Sequence, residues 1–388
     1  MIDIFNHSFL KYLLFGSLYF SEGLNKIIAV IILPIYFLEK GVSPEIITLV
    51  IGLSAMPMVI KFVWGGIVDF FNKFGRKKFI FFGGIMSVVS LLTLAFIDPG
   101  IALIPFAIFE TVCWIGVGFL DVSTDAWAIE ISKEVERGKI NGFMYGGLNA
   151  GMAIGAVTFP LLAKNYSYSA VFIGSAFLIF LIIIFPIFIK ERVVIEKSKK
   201  IGKLILGEFK KKTTIVVTFF AITFALSSGM LLFIAPLYMD INLKLDLTQI
   251  GFITLVFTIT TAIGSMVGGM IADKWGRKKT LTTIIILSTT FCILLIFSND
   301  WQKFLIMYGI IGFLQGGYYT TALALFMDTT NPKIAATEFS IFTSLGNFGN
   351  IGIASISGAL FAMFSFNHIF LYSAWLFGPV LLIIYFIK

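Results

Sequence analysis

An all-α membrane protein of twelve transmembrane helices, arranged as two halves of six, is the fold expected of this chain. Three observations lead to it. Hydrophobic residues make up 58% of the 388 positions and charged residues 13%, where a soluble domain carries roughly 25% charge. The apolar residues fall in continuous runs of about 20 or more, enough to cross a hydrocarbon core of roughly 30 Å, without the alternation of a β-barrel. A hydrophilic phrase then occurs twice, half a chain apart. The first copy is Gly65-Gly66-Ile67-Val68-Asp69 followed by Phe74-Gly75-Arg76-Lys77-Lys78. The second is Gly269-Met270-Ile271-Ala272-Asp273 followed by Trp275-Gly276-Arg277-Lys278-Lys279. Repetition between matching apolar runs is the mark of a duplicated helix bundle.

The spans follow in order. The first, near 11–38, opens at Lys11, is too long for a signal peptide and lacks a small-residue cleavage site, so it reads as an uncleaved helix. The second, 45–68, ends on the first repeated loop. The third and fourth cover 79–97 and 101–126, the fifth and sixth 140–163 and 170–189. After a polar break, spans near 214–239, 249–272, 280–298, 304–327, 338–363 and 368–387 complete the second half. Short loops imply antiparallel neighbours. The domains are therefore 1–195, a linker at 196–213, and 214–388. In the linker Ile201, Leu204, Ile205 and Phe209 share one helical face amid Lys199, Lys200, Lys203 and Lys210 to Lys212. This suits either an amphipathic helix on an anionic leaflet or a solvated basic tether.

Basic residues set the orientation. With both termini inside, the inner segments hold 23 Lys and Arg and the outer ones only Lys40, Lys164, Lys244 and Lys303, a strong positive-inside bias. The expected location is the cell membrane, multi-pass, with cytoplasmic termini. The net charge of +8 is thereby explained by topology, and no nucleic-acid partner is expected. Cys113 and Cys292 lie within apolar runs and His7 and His368 stand apart, so neither a disulfide, a metal site nor a cofactor is expected.

The loop glycines let two helices and a tight turn approach closely, its Asp can cap or pair, and its basic cluster sits at headgroup level. Two copies, each between the second and third span of a half, resemble the signature loop of the major facilitator superfamily, and the resemblance covers the whole chain. Asp69 and Asp273 resemble the signature acid, Gly75 and Gly276 the turn glycine, and Arg76 and Arg277 its basic partner; these imply gating roles in alternating access. The first copy departs from the second by three extra residues between Asp and Gly. Pro57-Met58-Val59-Ile60-Lys61-Phe62-Val63-Trp64 before Asp69 is similar to the muropeptide permease and acetyl-CoA transporter branch. So are Asp121-x-x-x-Asp125-Ala126, Glu136-Arg137-Gly138 and Ala336-Thr337-x-Phe339. The branch does not name a substrate.

Ionisable residues at membrane depth are costly and mark function. They lie almost wholly in the first half: Glu22, Lys26, Lys61, Glu110, Asp121 and Asp125. A rise of about 1.5 Å per residue puts Glu22 and Glu110 near the midplane and Lys26 one turn further out. Lys61, Asp121 and Asp125 fall at the inner boundary. Glu22 and Lys26 have the i, i+4 spacing of an intrahelical pair. In the family resembled here, the first and fourth spans line the cavity, which implies one polar spot of Glu22, Lys26 and Glu110 for substrate or a coupling proton. Lys61 with Asp121 or Asp125 reads as an inner gate of ion pairs, or Lys61 takes an anionic group of the cargo. In the second half Tyr308, Gln315 and Tyr319 share a face of the tenth span and could orient a polar solute. Asn149, Asn347, Ser227 and Ser228 read as helix bridges, and Asn350 lies beside them in the eleventh span.

The expected function is a secondary active transporter of a small polar organic solute, working by alternating access with protons as the coupling ion. The alternatives are an integral membrane enzyme on a lipid-linked substrate and a non-transporting receptor on the same scaffold. Uptake in proteoliposomes separates the three.

Overall fold

The computed structural model describes residues 7–191, 201–245, 247–298 and 300–387, all its elements being helical. Expected helix ends grow by a few residues where polar side chains extend a helix past its apolar run. Asp300 accepts from the Lys303 amide to start the tenth span at Trp301, and Ser167 accepts from Ala170 to start the sixth at Tyr168. The fifth, seventh and eighth spans likewise run Arg137–Asn165, Lys212–Ile241 and Leu247–Trp275.

Two spans depart from the regular helices expected. The first, Ser8–Glu39, contains a π-helical stretch at Ile28–Ile32, two residues after Lys26 and two before Pro34; such bulges cluster at functional sites. The second, expected to be continuous over 45–68, is broken into Pro44–Ser54, Met56–Val59 and Phe62–Phe70. Pro57 removes a backbone donor, and the chain turns at Ile60 and Lys61. The indole N–H of Trp64 donates to the Pro57 carbonyl at 3.0 Å, satisfying an acceptor that the break leaves without an amide. The linker helix is Ile201–Glu208; Lys199, Lys200 and the linker's first residues lie outside the described residues.

Contacts gather the chain into two compact units. The first comprises Met1–Ser132, Gly147–Ile201 and Asn331–Ile341; the second comprises Lys133–Gly146, Gly202–Thr330 and Phe342–Lys388. Each unit thus holds one six-helix half, apart from part of its fifth or eleventh span, and the opening turns of the other half's matching span.

Within the first unit Gly147 and Gly151 of the fifth span bring its backbone onto the first span at Gly16 and Phe20. Within the second, the eighth span packs closely along the tenth through Gly264 and Gly268 against Phe313 and Gly317.

Candidate functional site

In the first unit, burial gathers charge around the first, second and fourth spans. Glu22 pairs with Lys26 at 2.9 Å on its own helix; its side chain is 4% exposed against 36% for the lysine, and its Oε2 has no partner. Lys61, carried at the interruption of the second span, reaches Asp121 Oδ2 at 2.5 Å, both side chains buried. One turn on, Asp125 takes a short hydrogen bond from the Tyr19 hydroxyl through Oδ1, while its buried Oδ2 has no partner. Glu22 and Lys61 lie within electrostatic reach of Asp125, as does Asp121. The lysine expected to choose between two aspartates therefore takes Asp121, and a tyrosine takes the other.

Glu110 stands apart from this group. It accepts from Trp114 Nε1 at 2.9 Å on its own helix, and among the described residues no ion pair or hydrogen bond joins it to Glu22 or Lys26. Nearby, Asn25 Oδ1 accepts from the Cys113 thiol at 3.4 Å and, at 3.5 Å, from Ser87. That adds neutral polarity between the first, third and fourth spans.

In the second unit, the Tyr308 ring stacks on Phe257 at 4.4 Å and on Phe304 at 5.3 Å. Tyr319 stacks on Tyr145 at 5.1 Å and accepts from Asn350 Nδ2 at 3.4 Å. Gln315 lines a cavity of about 20 Å³ with Tyr318, Ser227, Ser288 and Cys292, room for about one water. Tyr318, which bonds Ser227 at 3.1 Å, therefore joins Gln315 where Tyr308 does not.

The two repeated loops build matching locks, one within each unit. In the first, Arg76 is wholly buried; it pairs with Asp69 at 2.9 Å and with Glu130 at 2.7 Å. Asp69 in turn accepts from Thr337 N and Oγ1, both at 2.7 Å, and from Ala336 N at 3.3 Å, capping the first turn of the eleventh span. In the second, Arg277 pairs with Asp273 at 2.6 Å and Asp328 at 2.9 Å, and Asp273 caps the fifth span through Gly138 N at 2.8 Å and Lys139 N at 2.7 Å. Arg137 also joins Asp328 at 3.1 Å. The loop glycines are needed for these approaches: a Cβ on Gly65 would lie 2.5 Å from Ala336 O, and one on Gly269 2.1 Å from Gly138 O.

Both turn glycines hold positive φ, 81° at Gly75 and 88° at Gly276. The last residues of each half are tied in as well, by Lys77 Nζ to Ile189 O at 2.6 Å and by Lys278 Nζ to Ile387 O at 2.9 Å. Among the described residues the first loop alone has a further carboxylate: Glu191 accepts from the Arg76 and Lys77 amides. Burial raises its carboxyl above the ordinary range, and those amides oppose the rise. Far from these loops, the ammonium of Lys40 bonds Asp98 at 2.5 Å and, with the Gly100 amide, holds its carboxyl below the ordinary range.

Sequence reasoning placed the signature residues but not Glu130, Asp328, Glu191 or Tyr19. Glu130 and Asp328 stand at matching ends of the fourth and tenth spans, so the repeat held that signal. Tyr19 is one apolar-run tyrosine among many and carried none. The described residues hold no cluster of His, Cys, Asp and Glu fit for a metal.

A family model described as Major Facilitator Superfamily matches residues 15–226 and 217–388. The multidrug resistance protein MdtG of Enterobacter lignolyticus is 25% identical over 328 residues, covering 80% of this chain and 74% of that protein. The anhydromuropeptide permease of Escherichia coli is 20% identical over 335 residues, covering 83% and 68%. Other relatives match over shorter stretches, this chain spanning 37% and 19% of their lengths. Among solved structures the Escherichia coli fucose:proton symporter FucP superposes with a TM-score of 0.77 at 13% identity, covering 98% of this chain and 99% of that one. That likeness carries the fold. With the duplicated lock in both halves and the family match across both, this chain belongs to the major facilitator superfamily.

Proposed function

We propose that this superfamily member is a secondary active transporter that moves a small polar organic solute across the cell membrane, driven by protons, with both termini in the cytoplasm. Glu22, Lys26 and Glu110 in the first half, and Tyr308, Gln315 and Tyr319 in the second, contribute to solute or proton binding. The locks at Asp69 and Arg76 and at Asp273 and Arg277 gate access, together with Lys61, Asp121 and Asp125. Opening the face that carries the repeated loops requires Asp69 and Asp273 to release the helix starts they cap, a discrete change of the kind alternating access needs.

One observation carries the coupling: Glu110 is 4% exposed at membrane depth, and among the described residues its one hydrogen-bond partner is the Trp114 indole N–H, with no ion pair. A carboxylate there has no stabilising counter-ion, and a proton relieves the cost. The mixed signs around Glu22, Lys26, Lys61 and Asp121 favour a zwitterionic or anionic organic solute over an apolar drug.

The purified protein is reconstituted in liposomes, and solutes are drawn from short peptides, amino sugars, nucleotides and pterins according to thermal stabilisation. Wild type should accumulate the hit when the pH gradient is inward. Glu110→Gln should lose accumulation and keep solute counterflow. Accumulation in Glu110→Gln with wild-type pH dependence would sink the coupling role. Tight binding without uptake would identify a receptor, and chemical conversion of the solute an enzyme.

A further inference from the structure

Around Asp125 the charges do not balance. Three carboxylates, Glu22, Asp121 and Asp125, share this part of the first unit with two lysines, Lys26 and Lys61. Each lysine is committed to a carboxylate: Lys26 to Glu22 at 2.9 Å and Lys61 to Asp121 at 2.5 Å. Among the described residues Asp125 is left with the neutral hydroxyl of Tyr19 on Oδ1 and no hydrogen-bond partner on Oδ2, although the residue is 1% exposed. An ionised carboxylate with an orphaned, buried oxygen is among the costliest arrangements a fold can hold. Tyr19 and Glu22 face Asp125 from the first span, Lys61 from the second, and Asp121 from one turn earlier on the fourth.

We infer that Asp125, oriented by Tyr19, is a proton-binding site whose occupancy sets how firmly Lys61 ties the second span to the fourth. This rests on the proton-coupled reading above and adds a second protonatable position to it. With the proton on Oδ2, Asp125 is neutral and Lys61 answers to Asp121 alone. Without it, Lys61 stands between two carboxylates four residues apart on one helix face, and the tie strengthens. The ammonium can respond because its backbone lies at the break between Met56–Val59 and Phe62–Phe70. A proton suits this oxygen better than a metal cation, since one unpartnered oxygen needs one donor whereas a hard cation needs several oxygens.

Infrared difference spectroscopy of the full chain in lipid nanodiscs, titrated from acid to neutral pH without any solute, tests the assignment. Wild type should show a buried protonated-carboxyl band that Asp125→Asn lacks and that differs from the component lost in Glu110→Gln. Tyr19→Phe removes the donor that favours the ionised form, so the Asp125 band should persist with its midpoint moved to higher pH by roughly one unit. The Tyr19→Phe shift decides the matter on its own if Asp125→Asn fails to fold.

Three results would overturn the inference: a full band in folded Asp125→Asn, an unmoved midpoint in Tyr19→Phe, or loss of the Asp125 band on adding sodium at constant pH. Because no solute is present, any of these leaves the transport reading intact. Conversely, the assigned band in a protein that moves no solute would sustain this site and end that reading.

Discussion

Arg76 and Arg277 occupy the same place in two copies of one loop, yet their surroundings differ. Arg76 is wholly buried between Asp69 and Glu130, whereas the Arg277 side chain is 12% exposed between Asp273 and Asp328. Removing one partner of a buried pair leaves the others uncompensated and costs about 3–5 kcal/mol; a pair open to solvent loses less. Arg76→Met should therefore lower the thermal unfolding midpoint in detergent clearly more than Arg277→Met. Equal drops would show that burial does not separate the two locks. The repeated motif made both arginines legible in the sequence. Of their acidic partners, Asp69 and Asp273 came with the motif, whereas Glu130 and Asp328 were signalled only by their matching places in the two halves, because periodicity gives the face a residue lies on and not the helix across from it. Asp125 is the sharper case: its identity and depth could be read, while its partner Tyr19 could only be seen once the first and fourth spans were packed.

At the level of elements, the twelve apolar runs were legible because length and composition suffice to specify a membrane helix. What was hidden is where helices stop being regular. The π-helical stretch at Ile28–Ile32 is as apolar as its neighbours, and the break around Pro57 to Lys61 adds a single charge to an otherwise apolar run. Hydropathy cannot register a change of hydrogen-bonding pattern. Proline alone was no guide either, since Pro160 sits inside the continuous fifth span. The broken second span is held by the Trp64 indole on the Pro57 carbonyl. Trp64→Phe should leave that carbonyl unsatisfied at a cost of about 1–3 kcal/mol. Backbone amides over residues 55–65 should then exchange hydrogen faster while those of the third span do not. Unchanged exchange over 55–65 would mean that the indole bond does not stabilise the break.

For the molecule as a whole, the two halves share their locks and divide their chemistry. Asp69 with Arg76 and Asp273 with Arg277 cap opposite helix starts by the same geometry, while among the described residues buried charge at membrane depth lies in the first half. The second half presents Tyr308, Gln315, Tyr318 and Tyr319 in its place. Duplication was plain in the sequence through the repeated loop, and so was the unequal placement of ionisable residues. The exchange of helix starts was not, for the segments 133–146 and 331–341 carry their own half's pattern and show their other allegiance only through contacts. Solute identity likewise depends on how side chains from many helices converge, which no single run records.

The most direct test of proton-coupled transport is the pH inside liposomes holding the wild-type protein, followed when a stabilising solute is added outside. Proton-coupled transport gives solute-dependent, saturable alkalinisation or acidification that vanishes in Glu110→Gln. Saturable solute uptake with no accompanying proton movement in wild type would contradict it.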